Sequence, residues 1–146
     1  MQKIHLTNFI AAPIERVFVL SRHLSIYKNV FNGRPEKFTC GSGHLNKDDS
    51  FSVQVKRLGK IRSVSLRVSA PEKGIMYSEE QAKGDLQYYK HEHHFKQVDN
   101  GTIMIDLVEF DLPKDFVGKL FGRFYLNSYI ETIIKKRNQL IRQYAE

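Results

Sequence analysis

The sequence predicts an α+β fold: about six or seven antiparallel strands, two short helices after the first strand, and one long C-terminal helix. Two observations carry this. From Phe51 to Leu112 apolar and polar residues alternate with the period of a half-buried strand, interrupted at intervals by turn residues. After Asp115 the pattern changes to a broad apolar stripe at helical spacing that continues almost to the C-terminus. A run of strands followed by a helix indicates an antiparallel sheet with helices segregated to one side.

The elements follow in order. Ile4, Leu6 and Ile10 alternate with polar residues and read as the first strand, ended by Ala11-Ala12-Pro13. Pro13 suits the first turn of a helix, and Ile14, Val17 and Phe18 then take helical spacing. A second short helix is expected from Leu24 to Phe31, with Ile26, Tyr27 and Val30 on its apolar side, and Asn32-Gly33-Arg34-Pro35 breaks it. Strands are then expected around Phe51–Lys56, Ser63–Ser69, Ile75–Gln81, Leu86–Val98 and Thr102–Leu112, with turns at Leu58-Gly59-Lys60, at Pro71 to Gly74 and at Asn100-Gly101. Asp115 is a candidate N-cap for the long helix, whose stripe runs through Leu120, Phe121, Phe124, Leu126, Ile130, Ile133, Ile134, Ile141 and Tyr144. Its length of roughly 25 to 30 residues is well above the usual mean, so it needs a long surface to lie on. No repeat, low-complexity segment or linker divides the chain, and residues 1–146 read as a single domain with a sizeable core.

Charge and composition bound the function. The net charge is +7, but the basic residues are spread out: Lys56, Arg57, Lys60 and Arg62 flank one turn, and Lys135, Lys136, Arg137 and Arg142 lie near a helix C-terminus, where cations favour the macrodipole. The expectation is a solvated basic surface and no nucleic-acid partner. No stretch is long, apolar and uncharged enough to span a bilayer, so no stable membrane insertion is expected. The first residues lack the apolar run of a signal peptide, and the single Cys40 cannot form an internal disulfide. Both fit a cytoplasmic protein.

The segment Tyr88-Tyr-Lys-His-Glu-His-His-Phe95 concentrates three histidines. With Asn100-Gly101 as the hairpin residues, Asp99 faces Thr102, Phe95 faces Asp106, His93 faces Val108 and His91 faces Phe110. Side chains alternate, so His91, His93 and Phe95 share a face with Asp106, Val108 and Phe110, while His94 points away. Asp106 is then diagonal to His93. A histidine–carboxylate pair there can act as general acid or base. The plain alternatives are a polar ladder on a sheet, or a pocket polar group that touches a ligand. Three metal ligands could be assembled from two imidazoles and Asp106, but no fourth is spaced for them, and no metal is expected. Ile103, Ile105 and Leu107 fall on the opposite face to Met104, Asp106 and Val108. Either the assigned face is reversed or the outer face is covered, for which a homodimer is one solution.

Tyr77-Ser-Glu-Glu-Gln-Ala-Lys-Gly84, Tyr89-Lys-His-Glu-His-His-Phe95 and Gly101-Thr-Ile-Met-Ile-Asp106-Leu-Val108 together resemble the SRPBCC proteins of the START-like superfamily, the fold of the major birch pollen allergen and of bacterial polyketide cyclase/dehydrase-like proteins. The opening Ile10-Ala-Ala-Pro13-Ile-Glu15-Arg-Val17-Phe18 is similar to the start of these proteins, and Arg137 and Leu140 match in the last helix. The chain departs from the family at Asp85-Leu86, where Pro-Phe is common, and at Tyr89 and Val64, where Trp is common. The resemblance implies a helix-grip fold: a curved antiparallel sheet wrapped around the long helix, with a deep apolar cavity between them. By alternation and by this resemblance, Phe51, Val53, Val55, Val64, Leu66, Val68, Tyr77, Glu79, Tyr89, His91, His93, Asp106, Val108 and Phe110 face inward. Leu120, Phe121, Phe124 and Tyr125 are expected to join them from the helix. Four readings stay open. For each aliphatic or aromatic residue, plain core needs the same residue types. For the whole, the expectation is a protein that binds a hydrophobic small molecule such as a lipid, isoprenoid or polyketide-like compound. The alternatives are a cyclase- or dehydratase-type enzyme, with His91 or His93 as acid–base and Asp106 or Glu79 as orienting carboxylate, and a module for a protein or membrane surface. No nucleophile elbow, phosphate loop or cofactor fingerprint is present, so no cofactor is expected.

Overall fold

The computed structural model describes residues 1–40, 43–57, 60–69, 75–114 and 120–146. The element order is β1 (Gln2–Ile10), α1 (Ile14–Ser21), α2 (Leu24–Val30), β2 (Lys37–Thr39), β3 (Ser50–Arg57), β4 (Lys60–Val68), β5 (Met76–Lys83), β6 (Leu86–Val98), β7 (Gly101–Pro113) and α3 (Leu120–Ala145). The strands form one curved antiparallel sheet of seven, ordered β1-β7-β6-β5-β4-β3-β2, so first and last long strands are neighbours. β2 is the strand the sequence did not signal: three residues are too few to show a period, and its pairing with β3 through Phe38 and Val53 defines it. A register shift between β4 and β5 at Ser65/Leu66 adds local bend. The turns expected at Leu58-Gly59 and Pro71 to Gly74, and the Asp115 cap, lie outside the described residues.

The β6–β7 hairpin departs from its expected register. Val98 pairs with Gly101, which puts Asp99-Asn100 in the turn; His93 stands opposite Asp106, His91 opposite Val108 and Phe95 opposite Met104. The pairing has moved by two residues, so every side chain keeps its face while its partner changes. Gly101 is required by contact rather than by a left-handed turn. A Cβ there would collide with the Ile10 carbonyl oxygen and the Phe9 ring on β1.

The face assignment holds. His91, His93, Phe95, Met104, Asp106, Val108 and Phe110 are all buried. Ile103, Ile105 and Leu107 lie on the outer face and are half-buried. Their cross-strand neighbours flank them: Phe9, Thr7 and His5 on β1, and Lys96, His94 and Glu92 on β6. These neighbours cover the apolar outer residues in part within the single chain.

α3 spans 26 residues, about 39 Å at the helical rise. Its buried stripe is Leu126, Ile130, Ile134, Arg137, Ile141 and Ala145, at intervals of three and four. The core divides along it. One apolar cluster packs Ile141 and Ala145 with α1, α2, Phe95 and Met104. The other packs Leu126, Ile130 and Ile134 with Ile4, Leu86, Val108 and Phe110. Between them, at the middle of β6, β7 and α3, the buried residues are polar.

Candidate functional site

That polar belt is built from five elements. Alternation on β6 points His91 and His93 inward; β7 supplies Asp106, β5 supplies Tyr77 and Glu79, α2 supplies Tyr27, and α3 supplies Arg137 and Asn138. All are at most 6% exposed. Buried polar groups are tolerable when hydrogen-bonded, and each of these residues is, although the Arg137 Nε–H has no partner among the described residues.

Arg137 is the hub. Its Nη1 donates to Asp106 Oδ1 at 3.2 Å and Asn138 Oδ1 at 2.8 Å. Its Nη2 donates to Tyr77 Oη at 3.2 Å and His93 Nδ1 at 2.9 Å. Because His93 Nδ1 accepts, its Nε2 carries the proton and donates to Glu79 Oε1 at 3.1 Å. Tyr27 donates to the same oxygen at 2.5 Å. His91 Nε2 donates to Asp106 Oδ1 at 2.8 Å, and Asn138 Nδ2 donates to Oδ2 at 2.7 Å. Asp106 stands opposite His93 in the sheet, with His93 Nδ1 3.2 Å from its Oδ1, and bonds the imidazole of His91, its diagonal neighbour, while His93 Nε2 reaches Glu79 across the other edge of β6. The rings of His91 and His93 lie 3.8 Å apart, and Tyr77 stacks on His93 at 4.2 Å.

The network sets its charges. Burial alone would raise the Glu79 carboxyl, but His93, His91 and the Tyr27 hydroxyl hold it down at about 2. Burial would likewise raise Asp106; Arg137 and the two imidazoles outweigh it and keep it well below the usual range. Burial opposes the Arg137 cation, and the surrounding tyrosines and carboxylates overcome it. For His91, burial and the adjacent His93 lower the pKa despite the pull of Asp106. The result is two carboxylates, one guanidinium and a neutral His91.

One wall of the belt faces a half-open cavity of about 120 Å³. Its floor is Tyr27, Glu79, His91 and Arg137. Phe51, Val53 and Val55 from β3, Val64 and Leu66 from β4, and Leu86 and Tyr89 from β6 form the sheet side, all inward as alternation requires except that Leu86 was not foreseen. α3 contributes Tyr129, Ile130, Ile133 and Ile134, and α2 contributes Val30 and Phe31. The Tyr89 hydroxyl has its pKa raised by burial, then by Glu79 and Asp106.

Several inward residues are not in this wall. Val68 and Tyr77 belong to the first apolar cluster, Val108 and Phe110 to the second, and His93 and Asp106 lie one layer behind the floor, fully buried. Phe124 and Tyr125, expected to line the cavity, are instead 66% and 44% exposed. With Leu126 on the buried stripe, a step of two residues back along a helix of 3.6 residues per turn places Phe124 on the far side, and Tyr125 on a flank. The side chains of Leu120 and Phe121 are outside the described residues. Arg137, read from the sequence as a surface cation near a helix end, is 3% exposed. Its place on the Leu126–Ile130–Ile134–Ile141 stripe was the available signal. Tyr27 was expected only as a core residue of α2, and nothing in the sequence marked Asn138.

Glu79, His91 and His93 bring one ligand atom each within 4.8 Å, a spacing a metal ion could use. The donor set is plausible, but the Arg137 cation is hydrogen-bonded to one member of the trio and opposes a second positive charge.

No family model and no curated protein sequence matches the chain. Solved structures do. TTHA0849 from Thermus thermophilus superposes with a TM-score of 0.74 at 15% identity, covering 99% of this chain and 100% of that one. The fold is START-like. Zhui aromatase/cyclase from a Streptomyces species gives 0.72 at 17% identity over 99% and 93% of the two chains. A START superfamily protein from Mycobacterium smegmatis gives 0.67 at 12% over 99% of each. Each of these likenesses covers 99% of this chain. No described helix is long and apolar enough to cross a membrane.

Proposed function

We propose that this START-like domain binds a small, mostly apolar molecule in the cavity between β3–β6, α2 and α3. The observation that carries this is the cavity's construction: aliphatic and aromatic walls around a floor of Tyr27, Glu79, His91 and Arg137. Ligand sites commonly take this form, with apolar burial supplying affinity and a few placed polar groups supplying orientation. A cavity of about 150 Å³ in another protein holds benzene. The interior here, at about 120 Å³, suits a single ring or a short branched chain; an isoprenoid, lipid or polyketide-like ligand would extend through the open side. Native mass spectrometry of gently purified protein, followed by extraction, tests the reading. A bound apolar mass is expected. An empty protein that also shows no thermal shift across a panel of small aromatics and terpenoids would overturn it.

A second reading has its own observation. His91 donates Nε2–H to Asp106, which fixes the tautomer and leaves Nδ1 as a basic nitrogen on the cavity side. One of the structural neighbours is named an aromatase/cyclase. On this reading His91 removes a proton from a bound substrate, Asp106 orients it, and no cofactor takes part. Loss of turnover in His91→Ala with retained ligand binding would support it; unchanged turnover would end it.

A further inference from the structure

We infer that the bound molecule carries a neutral hydrogen-bond donor at its buried end, a phenol or alcohol hydroxyl, and that the cavity rejects carboxylates; the inference rests on the binding reading above.

The floor of the cavity presents two open acceptors, Glu79 Oε2 and His91 Nδ1, and its unpaired donor, the Nε–H of Arg137, is itself buried. Glu79 Oε1 takes both of the donors directed at that carboxylate, from Tyr27 and from His93. Among the described residues nothing donates to Glu79 Oε2. His91 spends its Nε2–H on Asp106, so its Nδ1 is a lone-pair nitrogen, and it lies 3.9 Å from Glu79 Oε2. Two acceptors that face each other at this distance cannot bond one another. A donor brought beside them satisfies one or both. Both residues line the cavity, so that donor can come from a ligand. The nearby cation does not fill the role: the two terminal nitrogens of Arg137 are committed to Asp106, Asn138, Tyr77 and His93, and its buried Nε–H makes no hydrogen bond to either acceptor. A hydroxyl also accepts. The Tyr89 hydroxyl lines the same cavity and has no hydrogen-bond partner among the described residues, so it is available to a ligand oxygen.

Charge makes the same choice. Two buried carboxylates face one guanidinium, and an incoming carboxylate would add a third negative charge beside Glu79 Oε2 in a poorly solvated site. A hydroxyl adds none. An analogue with no polar end would leave both acceptors without a partner, and sites built to bond a hydroxyl discriminate strongly against the analogue lacking it.

The test uses three ligands of one shape, 4-ethylphenol, 4-ethylbenzoate and ethylbenzene, titrated calorimetrically into the protein at pH 7. The phenol is expected to bind at least tenfold tighter than either of the others. If all three bind alike, or the benzoate binds best, the head-group inference falls while the cavity reading stands. If none binds, the cavity reading itself falls for molecules of this size, and this inference falls with it. In Glu79→Gln the phenol-to-benzoate ratio should shrink by about tenfold, because the opposing charge is gone. An unchanged ratio in a folded Glu79→Gln overturns the role given to Glu79. Should that variant not fold, the ratio measured on the wild-type protein decides alone.

Discussion

Replacing Arg137 with Met tests the polar belt most directly. The change keeps most of the side-chain volume and removes the guanidinium that donates to Asp106, Asn138, Tyr77 and His93. Asp106 is then a fully buried carboxylate left with His91, Asn138 and the His93 imidazole, whose Nδ1 is 3.2 Å away. Removing one partner of a buried ion pair costs about 3–5 kcal/mol, chiefly because the remaining charge is left uncompensated. For a chain of 146 residues each kcal/mol lowers the melting temperature by about 3 °C, so the expected loss is about 9–15 °C. Thermal unfolding followed by circular dichroism reads this, with urea midpoints as a second measure. Arg137→Lys keeps the charge and loses the fork, and should lose less. Adding Asp106→Asn to Arg137→Met should restore part of the loss, since the unpaired charge is then gone. A drop of under about 3 °C in Arg137→Met would refute the reasoning: it would mean that water reaches the belt and the ion pair is solvated.

Stability should also fall in acid. Glu79 titrates at about 2 in the fold against an ordinary 4.5, so its contribution, on the order of 3 kcal/mol, is present above pH 4.5 and lost as the pH falls toward 2. His91 acts in the same direction from an earlier point, because its folded pKa lies below 6.5 and the unfolded chain takes up its proton first. Urea midpoints should therefore be flat just above pH 6.5 and decline below it; a midpoint that holds or rises down to pH 4 would contradict the His91 assignment, and one with no further decline from pH 4.5 toward pH 2 would contradict that of Glu79. Zinc in modest excess should leave the melting temperature unchanged, because Arg137 opposes a cation at Glu79, His91 and His93; a rise of several degrees would show that the guanidinium yields the site. Gly101→Ala should destabilise the protein by about 1–3 kcal/mol through its collision with the Ile10 carbonyl, although alanine is ordinarily the better strand residue. Equal or greater stability would show that β1 can move aside.

The fold was legible in the chain because the sheet and the helix each repeat one simple signal. Period-2 alternation located β1 and β3 to β7, and the helical stripe located α3. The face of each strand was legible too, since it depends only on parity, and the two-residue error in the hairpin register preserved parity. That is why His91, His93 and Asp106 were correctly placed inward while their partners were exchanged. Asn100-Gly101 is a common turn signal, but Gly101 is there to let β1 approach, a cause that lies 91 residues away in the chain. β2 gave no signal because three residues carry no period.

The site was only half legible. Alternation could nominate the residues of β3, β4, β5 and β6, because a strand states its faces locally. It could not say which inward residues form a wall and which are packed behind it, as with Val53 in the cavity and Val68 in the core. On α3 the stripe was read too broadly, so exposed Phe124 and Tyr125 were counted in and Arg137 was left among surface cations. An arginine is a surface residue by default, and only partners from other elements reverse that. Those partners, Asp106 on β7, His93 on β6 and Tyr77 on β5, meet Arg137 solely because the sheet curls around the helix. Element order, strand faces and the inward histidines were thus determined by the sequence itself, since periodicity is a local property. The polar belt, its charges and the cavity above it were decided by tertiary structure, because a buried charge is tolerated only where distant side chains converge to satisfy it.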